Sequence, residues 1–382
     1  MMIAIVSNFL NHHQLMLCNE FKKYCDEFYF IATEEIPEDR LSMGYSNMDS
    51  QYDFVLRTYD GSTDEKKIYD VLDRSDAVIF GACKDELIEY RMKQNKLSFL
   101  ASERFFKKGT WRRFHPAIAK AVKRRSVQFK DKNYYVLCAS AFLPRDLSLL
   151  GFPAEKCYKW GYFPKTERLE CYPEKDSGTL RILWVGRLLK LKRADMAVKA
   201  CAYLKENNVD FSLDFIGDGQ CKEELIKLID KYSLQNNVNF LGSMSPEEVR
   251  ENMKGADIFM FTSNFREGWG AVVNEAMSSG CAMLASSAAG SVPFLIEDGR
   301  NGLVFRNGCQ ADLNKKLYKL ATDSKMRENL GKEAMHTINN DYCPEVAAKR
   351  LVEFIKAEDK SKVNFEKGPM SGAEILKNKW YK

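Results

Sequence analysis

Short apolar runs alternate with longer amphipathic segments along the whole chain. A run of four to eight apolar residues between turn signals is typical of a buried strand, and strand-like runs that alternate with helix-like segments indicate parallel α/β architecture. The strands are predicted near 2–6, 28–32, 76–80, 97–101, 134–138, 157–160, 180–185, 211–216, 237–241, 256–261, 281–285 and 302–305. The helices are predicted near 13–25, 64–73, 84–93, 116–126, 141–149, 192–206, 221–232, 246–253, 270–279 and, with breaks, 310–356.

Two series of about six strands predict two doubly wound sheets, which bind ligands at the carboxyl ends of their strands. A chain of 382 residues is also long for a single hydrophobic core. The polar stretch 164–178, which holds two prolines, is the expected linker. We therefore predict a first domain over residues 1–165 and a second over 179–360, followed by a tail at 361–382.

The most specific pattern in the chain lies in the stretch Asn264–Gly280. Glu267 and Glu275 stand eight positions apart there, and a helix is expected from about Gly270 to Gly280. Glu267 would lie in the loop before this helix and Glu275 inside it. At a rise of 1.5 Å per residue the two carboxylates would be roughly 10–12 Å apart. That span suits a ligand with two separate sets of hydroxyls, such as a sugar and a ribose.

This stretch resembles the two-glutamate signature of retaining glycosyltransferases with the GT-B fold, in glycosyltransferase family 4. Three further segments match in the expected order: Val185–Lys192, Phe215–Gly219 and Val238–Gly242. They are similar to the phosphate-binding strand end, the strand-to-loop element that follows it, and the segment near the nucleobase. The resemblance covers residues 179–350 well, whereas the first half of the chain matches in layout only.

The resemblance implies a GT-B fold of the α/β class, with two Rossmann-like doubly wound parallel-sheet domains facing a central cleft. It places the acceptor on the domain at 1–165 and the nucleotide-sugar on the domain at 179–360. A last short helix, at about 372–381 in the tail 361–382, is expected to pack back on the N-terminal domain.

Four charged residues are the main donor-side candidates. Arg187 and Lys192 follow the strand end at Gly186, and two fixed cations there would stabilise the negative charge of a departing nucleoside diphosphate. By the resemblance, Glu275 accepts hydrogen bonds from the ribose hydroxyls and Glu267 lies near the hydroxyls of the donor sugar. Each of these residues alone also fits an ordinary solvated position, so the prediction depends on their combination.

The predicted donor-binding set also includes positions that act through their backbone or an apolar side chain. The full set is Gly186, Gly217, Leu241, Gly268, Trp269, Gly270 and Glu275. Backbone N–H groups from Gly268 to Gly270 could face the sugar or the phosphates, because glycine permits close approach and a helix N-terminus favours anions. Gly217 is expected to form a turn that shapes the site, since a glycine pair after a strand is most often a turn.

The first loop at the carboxyl edge of the first sheet holds Asn11, His12 and His13. Histidine titrates near neutrality and can accept a proton from an attacking hydroxyl, and His13 is the favoured catalytic candidate. The alternative is that Asn11 caps a helix and the histidines are merely polar residues at its start. Family members often carry a histidine after a middle strand, where this chain has Glu103, so Glu103 is a candidate for positioning the donor sugar or the acceptor.

Residues 104–132 carry eleven Lys and Arg and one acid, interleaved with Phe and Trp. Such a segment suits an anionic membrane surface or a lipid pyrophosphate acceptor. A solvated basic face is the alternative. Nucleic acid is not expected as a partner, because the chain has no groove-reading motif. A lipid-linked acceptor would place the protein in surface polysaccharide assembly.

Other classes of site find little support in the sequence. The eleven cysteines include no C-x-x-C pair, and with four histidines no zinc pattern emerges. This cysteine usage, with no signal peptide and no apolar run near the ~20 residues that span a bilayer, predicts a cytoplasmic protein, at most peripheral on the inner membrane face. The absence of a D-x-D motif favours metal-independent transfer, with no cofactor besides a UDP- or GDP-linked sugar as substrate.

The sequence therefore predicts a glycosyltransferase that moves a sugar from a nucleotide-sugar to a saccharide or lipid-linked saccharide acceptor with retention of configuration. Two alternatives stay open. A sugar-nucleotide 2-epimerase of the same architecture would act on the donor without an acceptor, and a non-catalytic protein would bind the donor without transferring or hydrolysing it.

Overall fold

The computed structural model describes residues 1–38, 46–175 and 178–382, which form two compact units. Unit 1 comprises Met1–Lys165 and Tyr342–Lys377, and unit 2 comprises Thr166–Asp341 and Asn378–Lys382. Positions 176 and 177 of the predicted linker lie outside the described residues. No helix in the described ranges combines the length and the apolar content needed to span a membrane.

Unit 1 is built on a parallel sheet of short, mostly buried strands. The strands are β1 (Met2–Ser7), β2 (Glu27–Ala32), β3 (Val55–Arg57), β4 (Ala77–Phe80), β5 (Ser98–Ser102), β6 (Tyr134–Cys138) and β7 (Cys157–Lys159). Among the described residues their order is β3-β2-β1-β4-β5-β6-β7, with every neighbouring pair parallel. The order reverses between β1 and β4, and in doubly wound sheets this switch point is where ligands bind.

The helices of unit 1 that precede residue 165 follow the strands in the expected alternation. They are α1 (His12–Lys22), α2 (Glu65–Arg74), α3 (Asp85–Lys93), α4 (Pro116–Arg125) and α5 (Leu143–Ser148). Short 3₁₀ turns lie at Thr110–Phe114, Val127–Phe129 and Ala154–Lys156. Pro116 fits the start of α4, because proline has the helical φ and its missing N–H falls where no intrahelical bond would form.

Unit 2 repeats the same architecture with a second parallel sheet. Its strands are β8 (Leu180–Val185), β9 (Phe211–Ile216), β10 (Val238–Gly242), β11 (Ile258–Phe261), β12 (Ala282–Ser286) and β13 (Leu303–Phe305). Within the described part of the chain their order is β10-β9-β8-β11-β12-β13. The switch point of this sheet lies between β8 and β11, so the loops that follow these two strands are the expected ligand-binding loops.

The helices of unit 2 alternate with its strands along the chain. They are α6 (Ala194–Glu206), α7 (Lys222–Lys231), α8 (Pro246–Gly255), α9 (Val272–Ser278), α10 (Val292–Leu295), α11 (Gln310–Thr322) and α12 (Ser324–His336), with a 3₁₀ turn at Lys190–Lys192 and a π-helical turn at Thr337–Asp341. The apolar side chains of α6, α7 and α11 are buried in one core with β8 and β9.

The last long helix, α13 (Pro344–Lys356), belongs to unit 1, although the predicted boundary of 179–360 placed it in the second domain. Its residue Phe354 packs against the rings of Phe99, Tyr135 and Tyr158, with ring centroids 5.8, 5.0 and 5.2 Å away. Aromatic rings in such edge-to-face contacts stabilise a core beyond the area they bury. This packing joins α13 to the sheet of unit 1, and the sequence boundary was wrong here.

The predicted helix at 372–381 is also wrong, because the structure has no helix in this described stretch. The chain instead turns at Met370 and forms an antiparallel bridge from Gly372 to Tyr158 of the edge strand β7. Met370 N donates to Lys159 O at 2.8 Å, and Ala373 N donates to Cys157 O at 2.9 Å. These bonds satisfy edge-strand groups that would otherwise be unpaired, which favours pairing with β7 over a helix. The final residues 378–382 belong to unit 2.

Candidate active site

The loops after β8 and β9 pack backbone against backbone at the switch point of unit 2. Gly186 N donates to Ile216 O at 3.0 Å. Gly217 has φ +119°, and a Cβ there would lie 2.3 Å from the carbonyl oxygen of Gly186. Only glycine permits this approach. Gly186 and Gly217, both predicted, therefore determine the backbone path of the loop that carries Arg187 and Lys192.

The backbone of Lys192 is held by a hydrogen-bonded chain that starts in the core. The buried indole of Trp184, on β8, donates from Nε1 to Thr262 Oγ1 at 3.0 Å. Thr262 Oγ1 in turn donates to the carbonyl oxygen of Lys192 at 2.7 Å. Arg193 then adopts a left-handed conformation with φ +54° and leads the chain into α6. The position of Lys192 is thus fixed from β8 and from the loop after β11.

Lys192 and Glu267 meet directly. Lys192 Nζ lies 2.5 Å from Glu267 Oε2, and the two side chains are 18% and 13% exposed. Ser263 Oγ donates to the same oxygen at 2.9 Å. A carboxylate with two donors on one oxygen is fixed in orientation. The structure therefore brings together one predicted phosphate-binding residue and one predicted sugar-binding residue.

Glu275 lies in the first turn of α9 and is half-buried. Burial raises the pKa of its carboxyl to about 7, and the opposing effect of the Arg250 charge is smaller. Arg250 donates to Glu247 at 2.6 Å. In the described part of the chain no group donates a hydrogen bond to the Glu275 carboxylate. Its lone pairs are therefore open to donors from a ligand.

The segment between the two glutamates is shaped by a buried tryptophan and by a glycine with a positive φ. Trp269 is fully buried and donates from Nε1 to Asn274 Oδ1 at 2.9 Å. Gly270 has φ +88°, and a Cβ there would lie 2.4 Å from Cζ of Phe261. The indole of Trp269, one of the predicted donor-binding residues, therefore belongs to the core. Its backbone and that of the buried Gly268 remain candidates.

Two further donor-side candidates lie at the surface of unit 2. Arg187 is exposed just after β8, next to the loop that positions Lys192. Leu241 is 38% exposed on β10, whereas its neighbour Phe240 stacks on Phe215 with ring centroids 5.4 Å apart. The alternation along this strand leaves Leu241 as the apolar side chain directed away from that aromatic pair.

In unit 1, Asn11 is the N-cap of α1. Its Oδ1 accepts from His13 N at 3.0 Å, and its Nδ2 donates to Gln14 Oε1 at 2.9 Å. The capping alternative is therefore the role that the structure gives Asn11. The His12 and His13 rings are 3.9 Å apart, and the His13 ring stacks on Tyr162 at 5.8 Å with an interplanar angle of 9°.

Tyr162 links the first loop of unit 1 to Glu103. Its hydroxyl donates to Glu103 Oε1 at 2.9 Å, and Lys107 Nζ pairs with Glu103 Oε2. Two of the predicted acceptor-side residues, His13 and Glu103, are thus joined by a tyrosine that the sequence analysis missed. The available signal was its position three residues beyond β7, at the carboxyl edge of the sheet.

Comparison with known proteins finds a family model that matches the segment containing these donor-side residues. Residues 171–337, which contain every donor-side candidate, match the family model described as glycosyl transferases group 1. Over this segment the chain is therefore similar to glycosyl transferases group 1. This match confirms the glycosyltransferase resemblance inferred from the motifs.

Two similar proteins are named as glycosyltransferases of polysaccharide biosynthesis. The chain is 28% identical to the putative colanic acid biosynthesis glycosyltransferase WcaL of Escherichia coli K12 over 218 residues, which is 55% of this chain and 53% of that protein. It is 27% identical to the amylovoran biosynthesis glycosyltransferase AmsK of Erwinia amylovora over 232 residues, which is 59% and 56% of the two chains. The chain thus spans about half the length of these relatives.

Among solved structures, HepE of Anabaena in complex with UDP is similar over 93% of this chain and 99% of that chain. The TM-score is 0.70 and the sequence identity is 15%. At this identity the likeness shows the fold, and it confirms the predicted GT-B fold, with the group 1 segment in unit 2.

Outside the group 1 segment, the basic stretch 104–132 holds some cations that pair with acids and others that do not. Several of its cations are neutralised by acids of unit 1: Arg104 by Asp146, Lys107 by Glu103, Arg124 by Glu86 and Glu89, and Arg125 by Asp85. Arg104 and Asp146 are fully buried, and burial raises the pKa of Asp146 despite its partner. The positive charge of these four residues is therefore offset by acids within unit 1.

Proposed function

We propose that this protein is a glycosyltransferase that moves a sugar from a nucleotide-sugar to a saccharide or lipid-linked saccharide acceptor. The observation that carries the proposal is the cluster of Lys192, Glu267 and Ser263 at the switch point of unit 2, inside the group 1 segment. The names of WcaL and AmsK, which refer to colanic acid and amylovoran biosynthesis, support a role in surface polysaccharide assembly.

Unit 2 holds the donor in this proposal. The half-buried Glu275 carboxylate accepts hydrogen bonds from the two ribose hydroxyls, and Leu241 provides an apolar contact for the nucleobase. Gly186 and Gly217 bring the backbone close to the diphosphate. HepE has been solved with UDP-glucose, which supports a nucleoside-diphosphate sugar as the class of donor, with UDP or GDP as the candidates.

The chemical step begins when the bond between the anomeric carbon and the diphosphate oxygen breaks, and the electron pair stays on that oxygen. Arg187 and Lys192 stabilise the charge that develops there, because fixed donors at a developing charge need no reorganisation. The acceptor oxygen bonds to the same face of the anomeric carbon, which retains configuration. Its proton passes to the departing phosphate oxygen or to His13.

We also propose that transfer is metal-independent, with Arg187 and Lys192 neutralising the diphosphate. The absence of a D-x-D motif from the sequence supports this view. On the acceptor side, Tyr162 and Lys107 hold Glu103 so that it can accept a hydrogen bond from a sugar hydroxyl. His12 lies against His13 and limits the orientation of its ring.

The test is thermal unfolding of the wild type, Glu275→Ala and Glu224→Ala against a panel of UDP-, GDP- and ADP-sugars. Glu224 is exposed in the first turn of α7 in the same unit and serves as the matched control. A donor at about 100 times its dissociation constant stabilises the folded state by roughly 2.7 kcal/mol. We expect one base to shift the wild type and Glu224→Ala but not Glu275→Ala.

The donor so identified is then supplied in labelled form with metal chelated, and the products are followed by NMR. Transfer to an acceptor, or slow hydrolysis without one, with the configuration of the new bond unchanged, supports the proposal. A changed sugar still attached to the nucleotide would instead establish an epimerase. Binding with no turnover under any acceptor would establish a non-catalytic binding protein, and either result overturns the proposed transfer.

A further inference from the structure

The 3₁₀ turn Thr110–Phe114 exposes two large aromatic side chains. Trp111 is 64% exposed and Phe114 is 73% exposed, the two highest values among the large hydrophobic side chains of the described residues. They stand three positions apart, and side chains at this spacing in a 3₁₀ helix lie on one side of it. Adjacent exposed aromatic residues with cations between them mark an interaction surface.

The turn holds both rings in place. Trp111 Nε1 donates to Lys108 O at 3.2 Å. Gly109 has φ +117°, and a Cβ there would lie 2.8 Å from the Trp111 ring, so the ring lies directly against the backbone of Gly109. The guanidinium of Arg113 lies 4.3 Å from the centroid of Phe114. The aromatic side chains are therefore preorganised and need little ordering when they meet a partner.

Four cations, in or next to this turn and on α4, have no acidic partner within the described ranges. Lys108, Lys120 and Lys123 are exposed, and Arg112 is half-buried. No acid within the described ranges pairs with these four residues. The neighbouring Lys107 and Arg124, in contrast, are neutralised by Glu103 and by the acids of α3. The surface thus combines two apolar anchors with a net positive charge.

We propose that this surface, formed by Trp111 and Phe114 with Lys108, Arg112, Lys120 and Lys123, docks on an anionic lipid bilayer. Aromatic rings with basic neighbours bind at the level of the lipid headgroups, and each Lys or Arg near an anionic leaflet adds to the attraction. The helix α4 continues the surface, since Val122 is its buried residue and Lys120 and Lys123 are exposed.

Charge and geometry favour lipid over the other polyanion, single-stranded nucleic acid. Bases stack on the open face of an aromatic side chain, whereas Arg113 covers a face of Phe114 and Trp111 lies against Gly109. Binding to a bilayer surface requires only that aromatic rings are exposed near cationic side chains, and this turn provides both. Docking is independent of the proposed transfer reaction, although it would bring the protein to a lipid-linked acceptor.

The experiment is cosedimentation with vesicles of phosphatidylcholine alone and of phosphatidylcholine mixed with phosphatidylglycerol. We expect the wild type to bind the anionic vesicles, with binding that weakens as salt is raised. Trp111→Ala/Phe114→Ala should reduce the partition coefficient roughly tenfold or more, and Lys108→Gln/Arg112→Gln should reduce it several-fold on anionic vesicles. Quenching of tryptophan fluorescence by brominated lipid should be lost in Trp111→Phe.

Two controls lie elsewhere on unit 1. Ile375→Ala removes a side chain that is 50% exposed, and Lys66→Gln/Lys67→Gln removes two exposed charges from α2. Both should bind as the wild type does. Absence of wild-type binding to anionic vesicles, unchanged binding of the double aromatic variant, or binding of single-stranded DNA without binding of lipid would each overturn the proposal.

Docking on vesicles and glycosyl transfer can be tested independently of each other. The double aromatic variant should release nucleoside diphosphate from a donor at the wild-type rate in solution without vesicles. Arg187→Ala should bind vesicles normally while it loses turnover. A protein with no turnover that still requires Trp111 and Phe114 for vesicle binding would refute the proposed function and leave the docking surface established.

Discussion

Lys192 and Glu267 form an ion pair at 2.5 Å in unit 2, with both side chains largely buried. The sequence predicts separate roles for them, one at the diphosphate and one at the sugar. In the structure each is also the positioning partner of the other. Removing one member of a buried pair leaves the other charge uncompensated, which costs more than the pair itself contributes. The two residues are therefore expected to act as a unit.

A double-mutant cycle tests this coupling. Lys192→Ala and Glu267→Gln should each lower kcat/KM by ~10²-fold, and the double variant should be little worse than either single variant. The exposed pair Lys332 and Glu328 on α12 provides a control cycle, in which single and double changes should leave kcat/KM unaltered. Independent, multiplicative losses at Lys192 and Glu267 would show that the ion pair has no role in turnover.

The hydrogen-bonded chain from Trp184 through Thr262 to Lys192 predicts a positioning role for Thr262. Thr262→Val removes the bond to the Lys192 carbonyl and leaves the Trp184 indole N–H unsatisfied, at a cost of about 1–3 kcal/mol in stability. We expect kcat to fall about fivefold with little change in KM for the donor. Thr262→Ser keeps the hydroxyl and should restore kcat. A valine variant with normal kcat would limit Thr262 to a structural role.

On the acceptor side, Tyr162→Phe removes the hydrogen bond to Glu103 and retains the ring that stacks on His13. We expect the KM for the acceptor to rise about five- to tenfold, while hydrolysis of the donor stays at the wild-type rate. Tyr29→Phe is a matched control, because Tyr29 donates to Glu27 at 3.3 Å on β2 of the same sheet, away from β7. Equal effects of both changes on the acceptor KM would indicate a general effect on unit 1.

The contact between Gly217 and Gly186 predicts a steric limit at the diphosphate loop. Gly217→Ala places a methyl group 2.3 Å from a backbone oxygen and should lower the free energy of unfolding of unit 2 by about 2–5 kcal/mol. Gly308→Ala also has a positive φ, of +74°, but its Cβ meets nothing within 4 Å. That variant should lose only about 1 kcal/mol. Similar losses in urea unfolding would mean that φ alone, and not the contact, requires glycine at 217.

The architecture could be predicted because strand, turn and helix signals are local. The buried strands and the two-domain alternation follow from apolar runs, and the glycines after β8 and β9 follow from the turns that end those strands. The strand Val55–Arg57 was missed, since three residues are too few for a periodic pattern. The helix Pro344–Lys356 was assigned to the wrong domain because its partners, such as Phe99 and Tyr135, are more than 200 positions away.

The candidate site could be predicted only where chemistry and chain position coincide. Glu267 and Lys192 were identified by their motifs, but their direct contact depends on two loops that meet only when β8 and β11 pair. Trp269 was predicted within the donor-binding set, and in the structure its indole is fully buried. Tyr162 has no motif at all, and its role depends on the fold that places it between His13 and Glu103.

The half-buried carboxyl of Glu275 predicts a pH dependence. Its pKa is raised from 4.5 to about 7 in the folded protein, so between these values the folded state binds more protons than the unfolded state. Stability therefore falls as pH rises from 4.5 to about 7, by at most about 3 kcal/mol and by less because the group is partly exposed. The loss is complete above pH 7 and absent below 4.5.

Glu275→Gln should remove this dependence and the cost of burying a charge. We expect the glutamine variant to unfold at a higher urea concentration than the wild type at pH 8, and at a similar concentration at pH 5. The control Glu224→Gln should unfold at the same urea concentration as the wild type at both pH values.

The donor affinity of the wild type should rise with pH, although its stability falls. Ribose hydroxyls donate to the ionised carboxylate, so wild-type binding should strengthen from pH 6 to pH 8 and Glu275→Gln should bind weakly throughout. An unfolding difference between the wild type and Glu275→Gln that does not change with pH would show that Glu275 is ionised in the free protein, and that desolvation does not govern its titration.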